Sequence, residues 1–243
     1  MPEGPTIVLL KEEVEKFHFQ KIIDVEGNTK IEKSRLLNET VISFQSWGKH
    51  FLICLEGFTI KIHFLMFGSY SINEKKEKPI RLSLTFCNGV IYFYSCSVKI
   101  LEGDINQIYD WSADVMNDTW NPKNARRKLK AEPQMLVCDA LLEQDIFAGV
   151  GNIIKNEILY IARVHPESVV GKIPSPKIKR LIEETRDYSF SFLEWKRNYE
   201  LKKHWLAHTK KICLRCNLPI IRKHTGVKAR RSFFCVRCQI LYR

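Results

Sequence analysis

Acidic residues are absent from the last 43 positions of the chain, which contain 12 lysines and arginines but no aspartate or glutamate. The 200 residues before them are electrically neutral, so the formal net charge of +12 lies entirely in this C-terminal segment. A neutral body with a concentrated basic end is stronger evidence for a nucleic-acid partner than a diffuse positive charge. Because the segment also contains Trp205, Phe233, Phe234 and four cysteines, we expect it to fold rather than form a disordered tail.

Long hydrophobic runs are also missing. No stretch approaches the ~20 apolar residues of a membrane span, and the first residues lack the basic-then-apolar layout of a signal peptide. We therefore expect a soluble protein without a membrane partner. Four of the eight cysteines are scattered among apolar neighbours and resemble reduced core residues; they are Cys54, Cys87, Cys96 and Cys138. This usage predicts a cytoplasmic or otherwise reducing compartment.

The first 110 residues are typical of a β domain. Residues 20–102 are rich in β-branched and aromatic side chains, and Glu56-Gly57 and Asn88-Gly89 are turn signals between strands. Residues 5–17 carry apolar side chains at helical spacing. The pattern predicts a β-sandwich or barrel with an N-terminal helix, ending near residue 110.

The character of the sequence changes after residue 110. Four segments have helical patterns and are separated by proline or glycine signals; they are "NPKNARRKLK", "PQMLVCDALLEQD", "NIIKNEILYIARV" and "PSPKIKRLIEETRDYSFSFLEWKRN". We predict an α+β protein of two domains, the second of which carries a small metal module. The predicted boundaries are 1–110, 111–205 and 206–243.

The metal module is defined by two Cys-x2-Cys pairs. Cys213 and Cys216 are separated from Cys235 and Cys238 by 18 residues, which is the spacing of a four-thiolate structural zinc site. Two disulfides are the alternative, but they conflict with the absence of a secretion signal. We therefore predict one structural Zn²⁺ per chain, with a basic β-hairpin between the two pairs that is suited to phosphate contacts.

Two short glycine-containing stretches allow more than one interpretation. In "FAGVGN", Gly149 and Gly151 precede a helix starting near Asn152, which suits either anion binding at a helix N-terminus or an ordinary tight turn. The chain begins "MPEGP", where two prolines serve neither helix nor strand. This start is either a ragged end or a means of presenting the nitrogen of Pro2.

The combination of these stretches resembles a known family. "MPEGP", "GKHFLICL", "FAGVGN" and "RRSFFCVRC" occur in the order seen in the formamidopyrimidine-DNA glycosylase and endonuclease VIII family. "YSCSVKIL" at 94–101 is more similar to endonuclease VIII, and no equivalent of the long loop that caps an oxidised purine is visible between 187 and 212. One departure is Thr6, where relatives commonly carry glutamate. The resemblance implies a β-sandwich, a helix-two-turns-helix element and a four-cysteine β-hairpin zinc finger.

The resemblance also implies catalytic roles near the N-terminus. Removal of the initiator methionine leaves Pro2 with a free secondary amine, which attacks C1′ of the damaged nucleotide. Glu3 is the candidate proton shuttle, although an acid at a helix start that faces the dipole is its structural alternative. Lys49, on a strand-like segment after Gly48, matches the family's catalytic lysine rather than a solvated strand residue.

Further positions are implied for DNA binding. Arg230 matches the finger arginine that grips phosphates, with Arg231 as the alternative if the hairpin register slips by one. Gly151 and Asn152 match the phosphate-binding glycine turn. Leu65, Met66 and Phe67 align with the loop that fills the void left by an extruded base, although a buried core strand would show the same pattern.

Three functions remain open from the sequence. The first is a bifunctional DNA glycosylase/AP lyase for oxidised pyrimidines in damaged DNA, acting by β- and δ-elimination. The second is the same chemistry on oxidised purines, and the third is a non-catalytic zinc-containing protein that binds nucleic acid. We predict the first, as a monomer without a small-molecule cofactor.

Overall fold

The structure is a computed structural model, and it describes residues 2–243. The chain divides into two compact units: the first ends at Asp110, and the second comprises Trp111–Arg243. Among the described residues, no helix combines the length and apolar character needed to cross a bilayer.

The first unit consists of one antiparallel sheet and a leading helix. Its elements are α1 Gly4–Glu13, β1 Asp24–Glu26, β2 Ser43–Trp47, β3 His50–Cys54, β4 Phe58–Ile72, β5 Leu82–Phe86, β6 Gly89–Glu102 and α2 Ile105–Ile108. The six strands follow the order β1-β5-β6-β4-β3-β2. The predicted N-terminal β domain with a helix in front is confirmed.

The sheet folds over on its own core. The rings of Phe51 in β3 and Phe93 in β6 lie 6.0 Å apart although these two strands are not neighbours. The long strands β4 and β6 pair over most of their length and link β3 on one side of the sheet to β5 on the other. Helix α1 contributes Ile7 and Leu10 to the same core.

Two local predictions need correction. The helix predicted over 5–17 ends at Glu13 and continues as a 3₁₀ turn over Glu15–Phe17. The tighter turn keeps Val14 and Phe17, three residues apart, on the buried side. The hairpin at Asn88-Gly89 exists, but Phe86 pairs with Gly89, so the connecting residues are 87 and 88.

The second unit contains the predicted helices and the hairpin. Its elements are α3 Pro122–Ala131, α4 Val137–Ala140, α5 Gln144–Phe147, α6 Asn152–Ala162, α7 Ser175–Arg197, β7 Ile221–Thr225 and β8 Arg230–Phe234. The segment predicted as a single helix from 133 to 145 forms only the short helices α4 and α5. Helix α6 is buried over nearly its whole length and packs against both α7 and β8. The four-cysteine hairpin therefore docks on the same helix that organises the helical core.

Candidate active site and nucleic-acid interface

Glu3 is fully buried at the start of α1. Its side chain and that of Thr6 form a reciprocal capping box at the helix N-terminus, in which Glu3 N–H donates to Thr6 Oγ1 at 3.5 Å. Thr6 therefore has a defined structural role in place of the usual acid. Pro2, directly before this carboxylate, is partly exposed. A buried carboxylate thus directly follows a partly exposed proline at position 2.

Lys49 lies in a hairpin turn rather than on a strand. Trp47 pairs with His50, so Gly48 and Lys49 form the two-residue connection between β2 and β3. Gly48 has a φ of +55°, and glycine in this region is typical of two-residue hairpins. The strand assignment for Lys49 was wrong because a two-residue turn between two apolar strands leaves almost no break in the pattern.

Two histidines next to this turn were missed from the sequence. His50 and His63 are paired across β3 and β4, and Tyr109 Oη lies 3.1 Å from His50 Nδ1. Burial lowers the pKa of His50 to about 4, with nearby cations led by Lys61 acting in the same direction. Burial, followed by the charge of Lys49, also lowers the pKa of His63. Both imidazoles are therefore neutral at physiological pH beside a cationic side chain.

Leu65, Met66 and Phe67 project from the sheet. The pairing of β4 with β6 is interrupted between Phe64 and Ser69. Leu65, Met66 and Phe67 within this interruption are 53%, 57% and 81% exposed, respectively. The alternative of a buried core strand is excluded, because three consecutive apolar side chains face outward.

The glycine turn leads into α6 as predicted. Gly149 has a φ of +98°, and Gly151 caps the helix that starts at Asn152. Gln144 supports the turn, since its Oε1 accepts from Gly149 N–H at 3.2 Å and its Nε2 donates to Val150 O at 3.3 Å. Gln144 thus fixes the conformation of the turn, and the first amides of α6 follow directly after the turn.

Asn152 contacts the finger. Its Nδ2 donates to the carbonyl oxygen of Arg231 at 2.9 Å, whereas its buried Oδ1 has no hydrogen-bond partner among residues 2–243. The structure therefore brings together the glycine turn and the basic hairpin, 79 positions apart in sequence.

The next turn of α6 continues this contact through buried polar groups. Lys155 Nζ donates to Ser232 Oγ at 2.9 Å, and Asn156 Oδ1 accepts from Phe233 N–H at 3.1 Å. The Glu157 carboxylate accepts from three successive amides, those of residues 206–208, at 2.6–3.0 Å. Burial raises the pKa of Glu157, while these amides act in the opposite direction. Polar side chains of α6 thus position both residues 206–208, which lead into the finger, and strand β8.

Arg230 and Arg231 begin β8. Arg230 is opposite Thr225 and partly buried, and Arg231 is opposite His224 and exposed. Two other hairpin lysines pair with acids of the helical part: Lys223 with Glu167 at 2.8 Å and Lys228 with Glu143 at 2.6 Å. Part of the positive charge of the hairpin is therefore used for docking.

The four late cysteines form one cluster. All four are free thiols, and their sulfur atoms lie within 4.8 Å of one another. The Cys213–Cys238 and Cys216–Cys235 sulfur separations are 3.9 and 3.5 Å, too long for disulfides. A tetrahedral Zn²⁺ with Zn–S distances of about 2.3 Å sets its sulfurs about 3.8 Å apart. The donor set and spacing fit a four-coordinate structural metal ion.

Comparison with known proteins identifies the family. The model of the formamidopyrimidine-DNA glycosylase N-terminal domain matches residues 1–97, and that of the H2TH domain of the same glycosylase matches residues 112–189. A β domain with a leading helix, followed by helices that hold a four-cysteine hairpin, is the architecture of a DNA-glycosylase fold. The chain belongs to the formamidopyrimidine-DNA glycosylase and endonuclease VIII family, close to endonuclease VIII.

Its relatives include proteins of different lengths. Endonuclease 8-like 3 of Xenopus laevis is 27% identical over 231 residues, which is 90% of this chain but 38% of that protein. The probable endonuclease 8 2 of Streptomyces coelicolor is also 27% identical and is covered over 80% of its length. The chain thus spans little more than a third of the first relative.

Solved structures show the same fold. A viral DNA glycosylase has a TM-score of 0.84 at 18% identity, covering 98% of this chain and all of the other. The formamidopyrimidine-DNA glycosylase of Lactococcus lactis, bound to DNA containing an AP site, has a TM-score of 0.86 at 23% identity, covering 98% and 99%.

Proposed function

We propose that this protein is a DNA glycosylase with AP lyase activity that removes oxidised bases and cuts the strand at the lesion. The observation that carries the proposal is the buried Glu3 next to Pro2 in a chain that belongs to this family. A protein that only binds nucleic acid has no need of a proline amine beside a buried carboxylate. The basic hairpin and the glycine turn, by contrast, would serve either class.

Pro2 is the proposed nucleophile. An α-amino group has a pKa of about 7.7–8.0, so a substantial fraction is neutral at physiological pH. The amine forms a bond to C1′ as the bond to the base breaks, and the base leaves with the electron pair and a proton. Protonation of O4′ then breaks the C1′–O4′ bond, which leaves an iminium ion on the secondary amine that cannot be neutralised by losing a proton from nitrogen. This electron sink acidifies C2′, so that the 3′ phosphate and then the 5′ phosphate are eliminated.

Glu3 and Lys49 assist this reaction in the proposal. Glu3 transfers the proton that opens the sugar ring. Its position supports this role, because the buried carboxylate directly follows the proposed nucleophile in the chain. Lys49 supplies positive charge to a phosphate or to the developing sugar oxygen, and the short hairpin restricts where its side chain can reach.

The segment of β4 where the pairing with β6 is interrupted is the proposed wedge that enters the base stack. A base must leave the stack before its sugar can be attacked, and an apolar side chain can take its place. Leu65, Met66 and Phe67 meet the physical requirement, because each is large, apolar and exposed.

We also propose that the four cysteines bind one structural Zn²⁺. Cys213, Cys216, Cys235 and Cys238 would fill all four positions, so the ion would hold the shape of the finger and take no part in the chemistry. Free cysteines throughout the described chain suit a reducing compartment such as the cytoplasm. We further propose a monomer without a small-molecule cofactor.

Oxidised pyrimidines are the proposed substrates, and oxidised purines are the second candidate. The segment between α7 and the finger is short and contains a 3₁₀ turn at Leu201–His204. It leaves little chain for a loop that caps a purine. The test is strand cleavage of duplexes containing thymine glycol or 8-oxoguanine. We expect cleavage at thymine glycol to be at least about tenfold faster, a difference of about 1.4 kcal/mol in activation free energy. Faster cleavage at 8-oxoguanine would favour the purine alternative.

Arg230 is the finger residue that we propose binds a DNA phosphate. Arg230→Ala should weaken binding to a lesion duplex and reduce the slope of log K against log salt concentration by about 1, because fewer counterions are released. The measurement is a fluorescence-anisotropy titration at several salt concentrations, with Lys202→Gln as a control outside the hairpin. A slope that changes only in Arg231→Ala would assign the contact to Arg231 instead.

A further inference from the structure

The tip of the finger hairpin is held by a carboxylate from the helical part of the chain. Asp139 in α4 is 5% exposed, and its side chain accepts from the amides of Val227 at 2.8 Å and Lys228 at 3.1 Å. Both amides belong to the turn between β7 and β8. Hydrogen bonds to an ionised acceptor are about twice as strong as neutral ones.

The turn is built to approach this carboxylate closely. Gly226 has a φ of +71°, and a Cβ at this position would lie 2.3 Å from both carboxylate oxygens of Asp139. No side chain other than hydrogen fits there. Lys228, two residues after Gly226 in the same turn, forms a salt bridge with Glu143.

The two ends of the hairpin are held by different kinds of contact. At its base, Phe233 packs with Cys213 and Cys235 in a small apolar cluster. Towards its tip the inner side is polar: Thr225 Oγ1 lies 2.6 Å from Ser232 Oγ, and Lys155 donates to the same serine. Because directional hydrogen bonds replace apolar packing at the tip, the orientation of this end depends on the groups that make them. Arg230 is two residues beyond Lys228 and opposite Thr225.

We infer that Asp139 is a positioning residue that sets the place of Arg230 by fixing the hairpin turn. This inference rests on the proposed function, in which Arg230 grips a phosphate. Asp139 contacts no nucleic acid in this role. It holds Arg230 in the geometry for phosphate binding before DNA arrives. The entropic cost of ordering the hairpin turn is therefore not incurred on binding.

A double-mutant cycle tests this coupling. Asp139→Ala, Arg230→Ala and the double variant are compared for affinity to a duplex with a tetrahydrofuran abasic-site analogue, together with salt dependence and zinc content. We expect Asp139→Ala to weaken binding about tenfold in the presence of Arg230 and less than twofold in its absence. Its salt slope should move towards that of Arg230→Ala, with one zinc retained. Asp145→Asn, an exposed charge change in the adjacent helix α5, is the matched control and should bind normally.

Asp139→Asn covers the case in which the alanine variant does not fold. The asparagine oxygen can still accept one amide hydrogen bond, so we expect a smaller loss that also disappears without Arg230. Additive losses in the cycle, or loss of zinc in both Asp139 variants, would show a general structural role and overturn the inference. If Arg230→Ala itself leaves binding unchanged, the proposed role of Arg230 is wrong and the inference falls with it. Covalent trapping on Pro2 tests the proposed chemistry independently of either residue.

Discussion

Replacing Pro2 with glycine is expected to reduce strand cleavage at an abasic site by at least about 100-fold, while duplex binding changes less than about threefold. Glycine keeps an amine at the terminus, but it is primary, so its Schiff base can lose a proton and with it the positive charge that drives elimination. Glycine also loosens the backbone beside Glu3, which begins the capped helix α1. The measurement is single-turnover cleavage of an abasic-site duplex, with binding measured on a non-cleavable analogue.

Pro79→Ala is the matched control for this change. Pro79 lies in the exposed loop before β5, so its replacement should leave both cleavage and binding unaltered. If cleavage by Pro2→Gly equals that of the unmodified protein, Pro2 has no part in the mechanism. If binding falls as far as cleavage, the change has disturbed the fold around α1, and the loss is not evidence for a nucleophile.

Replacement of Cys216, one of the four proposed metal ligands, is expected to abolish lesion binding, with a fall of at least about 100-fold in affinity. The finger comprises about 38 residues, and its apolar cluster is small; modules of this size rarely fold without a metal or disulfides. Cys216→Ala should therefore unfold β7 and β8 and release Arg230 from its place. The larger cores around β3 and α6 do not include these strands and should persist.

The readouts are zinc content, duplex affinity and hydrogen exchange resolved along the chain. Cys87→Ala, an exposed cysteine in a hairpin turn of the first unit, is the control and should keep both zinc and affinity. Amides of β7 and β8 should lose protection in Cys216→Ala, and those of β3 and β4 should keep it. Full affinity in a protein without zinc would contradict the structural role of the metal.

The features predicted from the sequence are those with a strong local signal. Runs of β-branched and aromatic residues indicated the strands, and proline and glycine marked the ends of the long helices, so α6 begins at Asn152 as expected. The Cys-x2-Cys spacing depends on two short turns and one hairpin, each of which is local. For the same reason, the cluster of Cys213 with the other three cysteines could be predicted without knowing how the finger docks.

The features missed from the sequence depend on contacts between distant residues. Lys155 and Glu157 are charged and would normally be assigned to a solvated helix face, yet both are fully buried because the finger supplies their partners. Asp139 meets Val227 across 88 positions, and no periodicity indicates such a contact. Leu65–Phe67 could not be separated from a core strand, since the bulge is visible only in the pairing of β4 with β6.

Borohydride trapping tests the central claim most directly. The protein, shown by mass spectrometry to lack Met1, is mixed with duplexes containing thymine glycol, 8-oxoguanine or an abasic site, and the mixture is reduced and digested. The proposal predicts a DNA adduct on the N-terminal peptide at Pro2, strongest with thymine glycol or the abasic site. The absence of an adduct on every substrate, from a protein that binds the same duplexes, would contradict it and leave a binding protein with the fold of the family.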